Sequence, residues 1–294
     1  MLLQLAELTA TLRQQWLQHA IAPRPIALVS SVNKKGEVNL APFSFFNMVS
    51  TEPPLLIFSP NRRLRDNSTK HTLDNITETG EVVIHIVTYN MVQQVSLASC
   101  EYPAGVDEFV KAGFTKEPAA MVAPPMVKES PVKLECRIIT VEPLGDAGGA
   151  GNLVIAEILC MHISEDILNA EGTMIDQQKL SLAARLGGDW YCRVDPANLF
   201  KVSKPNTKLG IGFDALPESV KTSDTLTGNH LAQLANVEVI PVRDNTYTHE
   251  LLNLRLRTVE DGAQRKKMLH TEVMNLLDEG SVQEAWQVLL MEFR

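Results

Sequence analysis

The stretch of sequence that decides the fold is residues 22–71, APRPIALVSSVNKKGEVNLAPFSFFNMVSTEPPLLIFSPNRRLRDNSTKH. An apolar strand bearing Pro23-Arg24-Pro25 leads to Asn39-Leu40-Ala41-Pro42-Phe43-Ser44, and a basic, hydroxyl-rich segment follows at 59–71. The first two segments offer backbone and small side chains to a flat polar ring, and the third offers cations and hydroxyls to a phosphate. The order therefore predicts one site for a phosphorylated ring compound.

The basic segment combines groups that a phosphate monoester needs together. Such an ester carries nearly two negative charges and takes charge-assisted bonds from Arg or Lys and further donors from Ser, Thr or backbone N–H. A short helix is predicted over 68–79, ending at Gly80, and its start would place unpaired N–H groups beside Arg62, Arg63 and Lys70. Taken alone, residues 62–70 are better explained as a solvated loop, and the upstream segments reverse that preference.

Length and charge narrow the class of protein. The 294 residues exceed the usual size of a single domain, so one domain with a sizeable appendage or two domains is expected. We place the boundary between 1–204 and 205–294. With 27 Lys and Arg against 35 Asp and Glu, the net charge of -8 argues against nucleic acid as a partner. The longest apolar stretch, 153–163, is too short to span a membrane, and the N-terminus lacks the features of a secretory signal. A cytoplasmic protein is expected.

Short β-rich runs dominate the first part of the chain. After a helix over 5–20, strands are predicted at 26–32, 38–40, 45–50, 55–59, 82–87, 132–141 and 153–163. Beyond residue 194 the pattern is helical or irregular. There, Ser281 and Glu284 have the spacing of a capping box before the last helix.

The sequence disfavours several other chemistries. The glycine-rich segment 145–151 matches no nucleotide-binding pattern and is best explained as a hairpin loop. His85 and His162 are each more often interior or rim histidines than catalysts. Four distant cysteines are expected to be free thiols, and neither they nor the histidines show metal-ligand spacing, so no metal site is predicted.

Four motifs resemble the flavin reductase-like, FMN-binding split-barrel family. They are Pro23-Arg24-Pro25-Ile26-Ala27-Leu28-Val29-Ser30, Asn39-Leu40-Ala41-Pro42-Phe43-Ser44, Lys70-His71-Thr72 with Asn75, and Ala184-Arg185-Leu186-Gly187-Gly188-Asp189-Trp190-Tyr191. The resemblance implies a mainly β fold: a six-stranded antiparallel Greek-key barrel with peripheral helices, to which this chain adds a helical C-terminal extension. It also implies a homodimer and reduction of flavin by NADH or NADPH.

The resemblance carries a set of site residues with it. Ala41, Pro42, Phe43 and Ser44 would flank the flavin ring, with Asn47 and Ser50 as weaker candidates. Ser59, Asn61, Arg62, Lys70 and Thr72 would approach the ribityl phosphate of FMN, and Arg185 and Gly187 would lie near the ring or the dimer contact. The family usually has Lys-Asp-Thr where this chain has Lys70-His71-Thr72, so the carboxylate that could orient the lysine is missing.

Two functions stay open from the sequence. In the first, the protein is an NAD(P)H-dependent flavin reductase in which hydride passes from nicotinamide to flavin, with no catalytic side chain assigned, and a partner monooxygenase is one possible acceptor. In the second, it binds flavin without turnover, as a scaffold.

Overall fold

The computed structural model describes residues 1–202, 204–205 and 208–292. The chain divides into two compact units, residues 1–200 and 201–294. The sequence placed the corresponding boundary after residue 204. Within the described residues, no helix is long and apolar enough to cross a bilayer.

A seven-stranded antiparallel sheet forms the first unit, with strand order β2-β1-β5-β8-β9-β4-β3. The described strands are β1 (Ala27–Val32), β2 (Val38–Phe43), β3 (Phe46–Ser50), β4 (Leu55–Phe58), β5 (Glu81–Ile86), β6 (Lys116–Glu117), β7 (Met126–Val127), β8 (Val132–Pro143), β9 (Asn152–Ile163), β10 (Ala183–Arg185) and β11 (Tyr191–Arg193). The mainly β class is confirmed, and the sheet has one strand more than the six expected. The strands predicted between 26 and 163 are all present, with ends shifted by a few residues.

Local turn chemistry fixes the hairpins that carry the decisive stretch. β1 pairs with β2 from Ala27 opposite Phe43 to Val32 opposite Val38, and Gly36 adopts a φ of 81° in the turn between them. That left-handed conformation is accessible to glycine without steric cost. The hairpin of β8 and β9 is likewise confirmed around the glycine-rich loop.

The sheet buries apolar side chains in two clusters. One contains Phe43 and Phe58, whose ring centroids lie 5.6 Å apart, together with Leu56, Ile84 and Val154. Alternate residues of β1 and β2, among them Leu28 and Leu40, enter the other cluster beneath helices of the 89–114 region. Successive side chains of a strand point to opposite faces, so β1 is buried along its whole length.

The described helices are α1 (Ala10–Ala20), α2 (His71–Thr79), α3 (Val92–Leu97), α4 (Glu108–Ala112), α5 (Glu218–Lys221), α6 (Gly228–Ala235), α7 (Glu250–Leu256), α8 (Gly262–Asp278) and α9 (Val282–Leu289). The helix expected over 68–79 starts at His71 and ends at Gly80, whose φ of 73° makes the predicted stop. Residues 68–70 stay outside it and form the loop that leads into the site.

The second unit is helical, as predicted, and has its own core around Trp286. The indole of Trp286 is fully buried and donates to the carbonyl of Leu234 over 3.2 Å. The predicted capping box at Ser281 is wrong, because the Ser281 side chain makes no capping hydrogen bond. A reciprocal cap is found instead at the start of α6, between Thr227 and His230.

Candidate functional site

A small cavity of about 30 Å³ is lined by residues of β2 and of the basic segment 59–71. It brings together Ala41 from β2 and Lys70 and Thr72 from the start of α2, three of the residues predicted for a cofactor. The full lining is Asn39, Ala41, Arg63, Lys70, His71, Thr72, Ala98, Ser99, Cys100, Glu101, Tyr102 and Glu108. The segment predicted to flank the ring and the segment predicted to bind the phosphate therefore both contribute to the lining of one cavity.

Cations converge on one carboxylate at the edge of this cavity. Glu101 accepts hydrogen bonds from Arg63 Nε over 3.0 Å and from Arg65 Nη2 over 2.9 Å, and the ammonium of Lys70 lies 3.8 Å away. The guanidinium of Arg63 is further fixed by Ser68 Oγ and the carbonyl of Thr69. Three cationic side chains therefore meet one protein carboxylate at this edge of the cavity.

Charge states at this edge follow from the geometry. Partial burial alone would raise the pKa of Glu101, but the hydrogen bonds and charges of Arg63 and Arg65 outweigh it and lower the pKa. Burial, reinforced by the charge of Arg63, lowers the pKa of Lys70, while Glu101 and Asp66 act in the opposite direction. The carboxylate is therefore ionised at neutral pH, so any anion that binds here must displace a full negative charge.

The start of α2 adds neutral donors to the same cavity. No side chain caps the helix, whose N-cap residue is Lys70 itself. The first amides of a helix lack intrahelical acceptors and favour an anion. The Thr72 hydroxyl accepts from the Asn39 amide over 2.8 Å, which fixes the oxygen and leaves its own proton to donate.

Of the predicted ring-flanking residues, Ala41 alone contributes to the cavity lining. Phe43 points into the core against Phe58, and Pro42 pairs opposite Leu28 within the sheet. Ser44 lies just after β2 and is partly exposed. The Phe43 side chain therefore packs in the core, and the backbone contacts that the resemblance implies for Phe43 and Ser44 stay a prediction.

The remaining phosphate candidates lie at the start of the basic segment 59–71. Arg62 donates to the side chain and the carbonyl of Asn67, both over 2.6 Å. Asn61 donates to the carbonyl of Gly149 over 3.2 Å and accepts from Ser59 Oγ over 3.1 Å. None of Ser59, Asn61 and Arg62 lines the cavity. They tie the basic loop to the turn between β8 and β9.

Sequence reasoning placed Arg63 beside the predicted anion-binding helix start but did not include it among the site residues, and it missed Glu101 altogether. Arg63 is adjacent to Arg62, and a basic loop alone does not indicate which guanidinium points inward. Glu101 lies about forty residues downstream, after α3, and no local pattern connects it to the basic loop. Its role depends on tertiary packing alone.

A second, larger cavity of about 590 Å³ shares Ser99 with the first. Arg185 and Arg193 line it, with their guanidinium groups 4.5 Å above the Tyr191 ring and 4.4 Å above the Tyr89 ring. Cation–π contacts of this kind hold the planar groups in place. The predicted residue Arg185 therefore lies in a cavity next to the first.

Two other predicted residues, Gly187 and Asn47, lie away from both cavities. A Cβ at Gly187 would lie 2.3 Å from the ring of His19, so glycine is required where α1 crosses this turn. Asn47 is exposed on β3 and its side chain accepts from the amide of Met48 over 2.9 Å. Neither residue lines one of the two cavities.

Arg24, in the first motif, is also a packing residue. It is buried, and its guanidinium donates to the carbonyls of Gln18, Ile21 and Leu186 over 2.6, 2.6 and 2.9 Å. Burial, followed by the charge of Arg185, lowers its pKa. The arginine therefore joins the end of α1 to the turn that carries Gly187.

With this geometry in place, comparison with known proteins identifies the family. The profile of the flavin reductase like domain matches residues 19–180, which include the sheet and the first cavity. The chain belongs to the flavin reductase like domain family. An uncharacterised protein of Aquifex aeolicus strain VF5 is 36% identical over 173 residues, which are 59% of this chain and 85% of the relative.

Solved structures agree with this assignment. Nitrilotriacetate monooxygenase component B from Bacillus cereus superposes with a TM-score of 0.64 at 29% identity, covering 69% of this chain and 98% of that one. The 2-nitrobenzoate 2-nitroreductase NbaA of Pseudomonas fluorescens gives a TM-score of 0.62 at 25% identity, covering 72% of this chain and all of the other. The first unit therefore has the split-barrel fold of flavin reductase-like proteins.

Proposed function

We propose that this protein binds FMN and reduces it with NADH or NADPH. In this proposal Arg63, Lys70 and the first amides of α2 hold the phosphate, while the segment from Ala41 to Ser44 follows the edge of the flavin ring. The observation that carries the proposal is the convergence of cations on Glu101 beside an uncapped helix start, in the cavity lined by Ala41. One cationic cluster suits the single phosphate of FMN.

The donor set fits the group it would hold. Charge-assisted bonds from Arg63 and Lys70 match a phosphate, and the Thr72 hydroxyl supplies a neutral donor. Backbone amides near Phe43 and Ser44 would donate to the ring edge, where preorganised N–H groups favour the charge that develops on reduction. Bound flavin would supply the hydride-accepting chemistry. Protein residues then serve to position the two rings, and positioning removes much of the entropic cost of reaction.

The larger cavity is the proposed entrance for the nicotinamide. It adjoins the first cavity at Ser99, and Arg185 and Arg193 line it with cationic groups suited to the phosphates of a dinucleotide. One structural neighbour is named as a component of a monooxygenase. We extend this to a partner monooxygenase as one acceptor of the reduced flavin.

A homodimer in a reducing cytoplasm completes the proposal. Strand β3 lies at an edge of the sheet and exposes Met48 and Val49, with Phe45 just before it. An apolar sheet edge is a natural place for a second copy to pair. All four cysteines lie among the described residues and none forms a disulfide, in keeping with a reducing compartment.

The test is a flavin titration combined with a turnover assay. Purified protein freed of flavin should quench FMN fluorescence with one site per chain and oxidise NADH or NADPH when FMN is added. Saturable FMN binding without nicotinamide oxidation would favour the scaffold function. Failure to bind FMN would reject both functions.

A further inference from the structure

A second group of chemically reactive side chains lies on the hairpin of β8 and β9. Glu135 in β8 is directly opposite Cys160 in β9, and His162 follows two residues later on the same face. The Glu135 carboxylate is 2.6 Å from His162 Nε2, and Cys160 Sγ is 3.8 Å from that nitrogen. All three ligand atoms lie within 4.8 Å of one another. None of the three residues lines either cavity.

The carboxylate in this group is held in a fixed orientation. The Glu135 side chain is fully buried and accepts backbone hydrogen bonds from Ala120, Met121 and Val122 over 2.8, 2.6 and 3.1 Å. Hydrogen bonds of this kind to a ligating carboxylate orient it and are a regular part of protein metal sites. Anchoring of the 120–122 loop explains the glutamate, whereas Cys160 and His162 approach the carboxylate from the neighbouring strand.

We propose that Glu135, Cys160 and His162 form a zinc-binding site. Carboxylate oxygen, thiolate sulfur and imidazole nitrogen are the three ligand types that zinc takes in proteins. Bond lengths of about 2.0 Å to N and O and about 2.3 Å to S give tetrahedral ligand spacings of roughly 3.3 Å for N and O and roughly 3.5 Å for N and S. The observed sulfur to nitrogen spacing is close to that.

Zinc binding requires only a small adjustment of the pair that is now hydrogen-bonded. The metal takes the place of the hydrogen between Glu135 and His162, so their spacing must widen by less than about 1 Å. The imidazole binds through Nε2 and carries its proton on Nδ1. The His162 side chain is 34% exposed, which gives the ion a path from solvent and leaves room for a water as fourth ligand.

Equilibrium dialysis of the full chain against Zn²⁺, read out by elemental analysis, tests the site. Wild type should retain one zinc per chain. Cys160→Ser and His162→Gln should each weaken retention at least tenfold. Both residues are partly exposed, and each variant keeps the backbone hydrogen bonds from the 120–122 loop to Glu135, so the variants should fold, which circular dichroism without metal checks.

The matched control is His249→Gln. His249 Nε2 lies 2.8 Å from Glu272, in a histidine–carboxylate pair of the same kind for which the structure gives no thiol contact. Zinc retention should be unchanged in this variant, and added Zn²⁺ should raise the Tm of wild type but not that of Cys160→Ser. Absence of stoichiometric zinc in wild type would overturn the proposal. Equal retention in Cys160→Ser and wild type would also overturn it.

Discussion

Replacing Glu101 by glutamine should strengthen FMN binding. In the structure the Glu101 carboxylate pairs with Arg63 Nε at 3.0 Å and with Arg65 Nη2 at 2.9 Å, and 40% of the Glu101 side chain is exposed. A phosphate that takes over Arg63 must first displace this carboxylate. Glu101→Gln keeps the size of the side chain and removes the competing charge.

The size of the effect follows from the exposure of the pair. Exposed ion pairs contribute about 0.2–1 kcal/mol, which alone corresponds to a roughly 1.4- to 5-fold change in affinity. The substitution also removes a like charge beside the incoming dianion. We therefore expect FMN to bind about three- to tenfold more tightly to Glu101→Gln than to wild type at low ionic strength.

Fluorescence titration of FMN at low and high salt measures this change. The difference between variant and wild type should shrink near 1 M salt, where the Debye length is about 3 Å. Glu117→Gln is the matched control, because Glu117 is 33% exposed and pairs with Lys133 at 3.0 Å. Its FMN affinity should equal that of wild type. Unchanged or weaker binding in Glu101→Gln would refute the assignment of this cluster to the phosphate.

Three further outcomes test other parts of the structure. Arg63→Ala and Lys70→Ala should each weaken FMN binding by about 1.5–3 kcal/mol in the same titration. The FMN affinity of Arg62→Ala should stay within about threefold of wild type. An equal loss of affinity in Arg62→Ala would contradict the choice of Arg63 over Arg62 as the phosphate ligand. Burial, opposed by a hydrogen bond to Leu28, lowers the pKa of His85 to about 3. Because the folded protein keeps His85 neutral, this residue contributes to stability above the unfolded pKa of about 6.5 and loses that contribution as the pH falls. In urea unfolding, the free energy of unfolding should fall by about 2 kcal/mol between pH 8 and pH 5 on account of His85. His85→Asn should lack this loss. Trp286→Ala should lower the free energy of unfolding of the second unit by about 3–5 kcal/mol in urea, because it empties a fully buried indole site.

Local chemistry explains which parts of the fold could be predicted from the sequence. Gly36 and Gly80 adopt left-handed conformations where the sequence placed a turn and a helix stop. Short β-rich runs of residues identified the strands of the main sheet. These features depend on neighbours along the chain, so residue type and spacing are sufficient to predict them.

Features that depend on distant contacts were out of reach. Of the residues that the sequence assigned to the phosphate, Lys70 and Thr72 line the cavity, whereas Ser59, Asn61 and Arg62 do not. The Arg62 side chain is held by Asn67, and the Arg63 side chain lines the cavity, where it pairs with Glu101. Metal-ligand spacing along the chain also does not reveal Glu135 and His162, because these residues meet only where β8 pairs with β9. Register across a hairpin is a tertiary property.

The buried guanidinium of Arg24 bears on how the first motif should be interpreted. Its planar fork reaches three carbonyls from two parts of the chain, an arrangement that the single ammonium of lysine could not reproduce. The motif Pro23-Arg24-Pro25 thus marks a structural contact between the end of α1 and the turn at Leu186, and it lines neither cavity. A search that relies on this signature will retrieve proteins sharing the scaffold, whether or not they keep the chemistry.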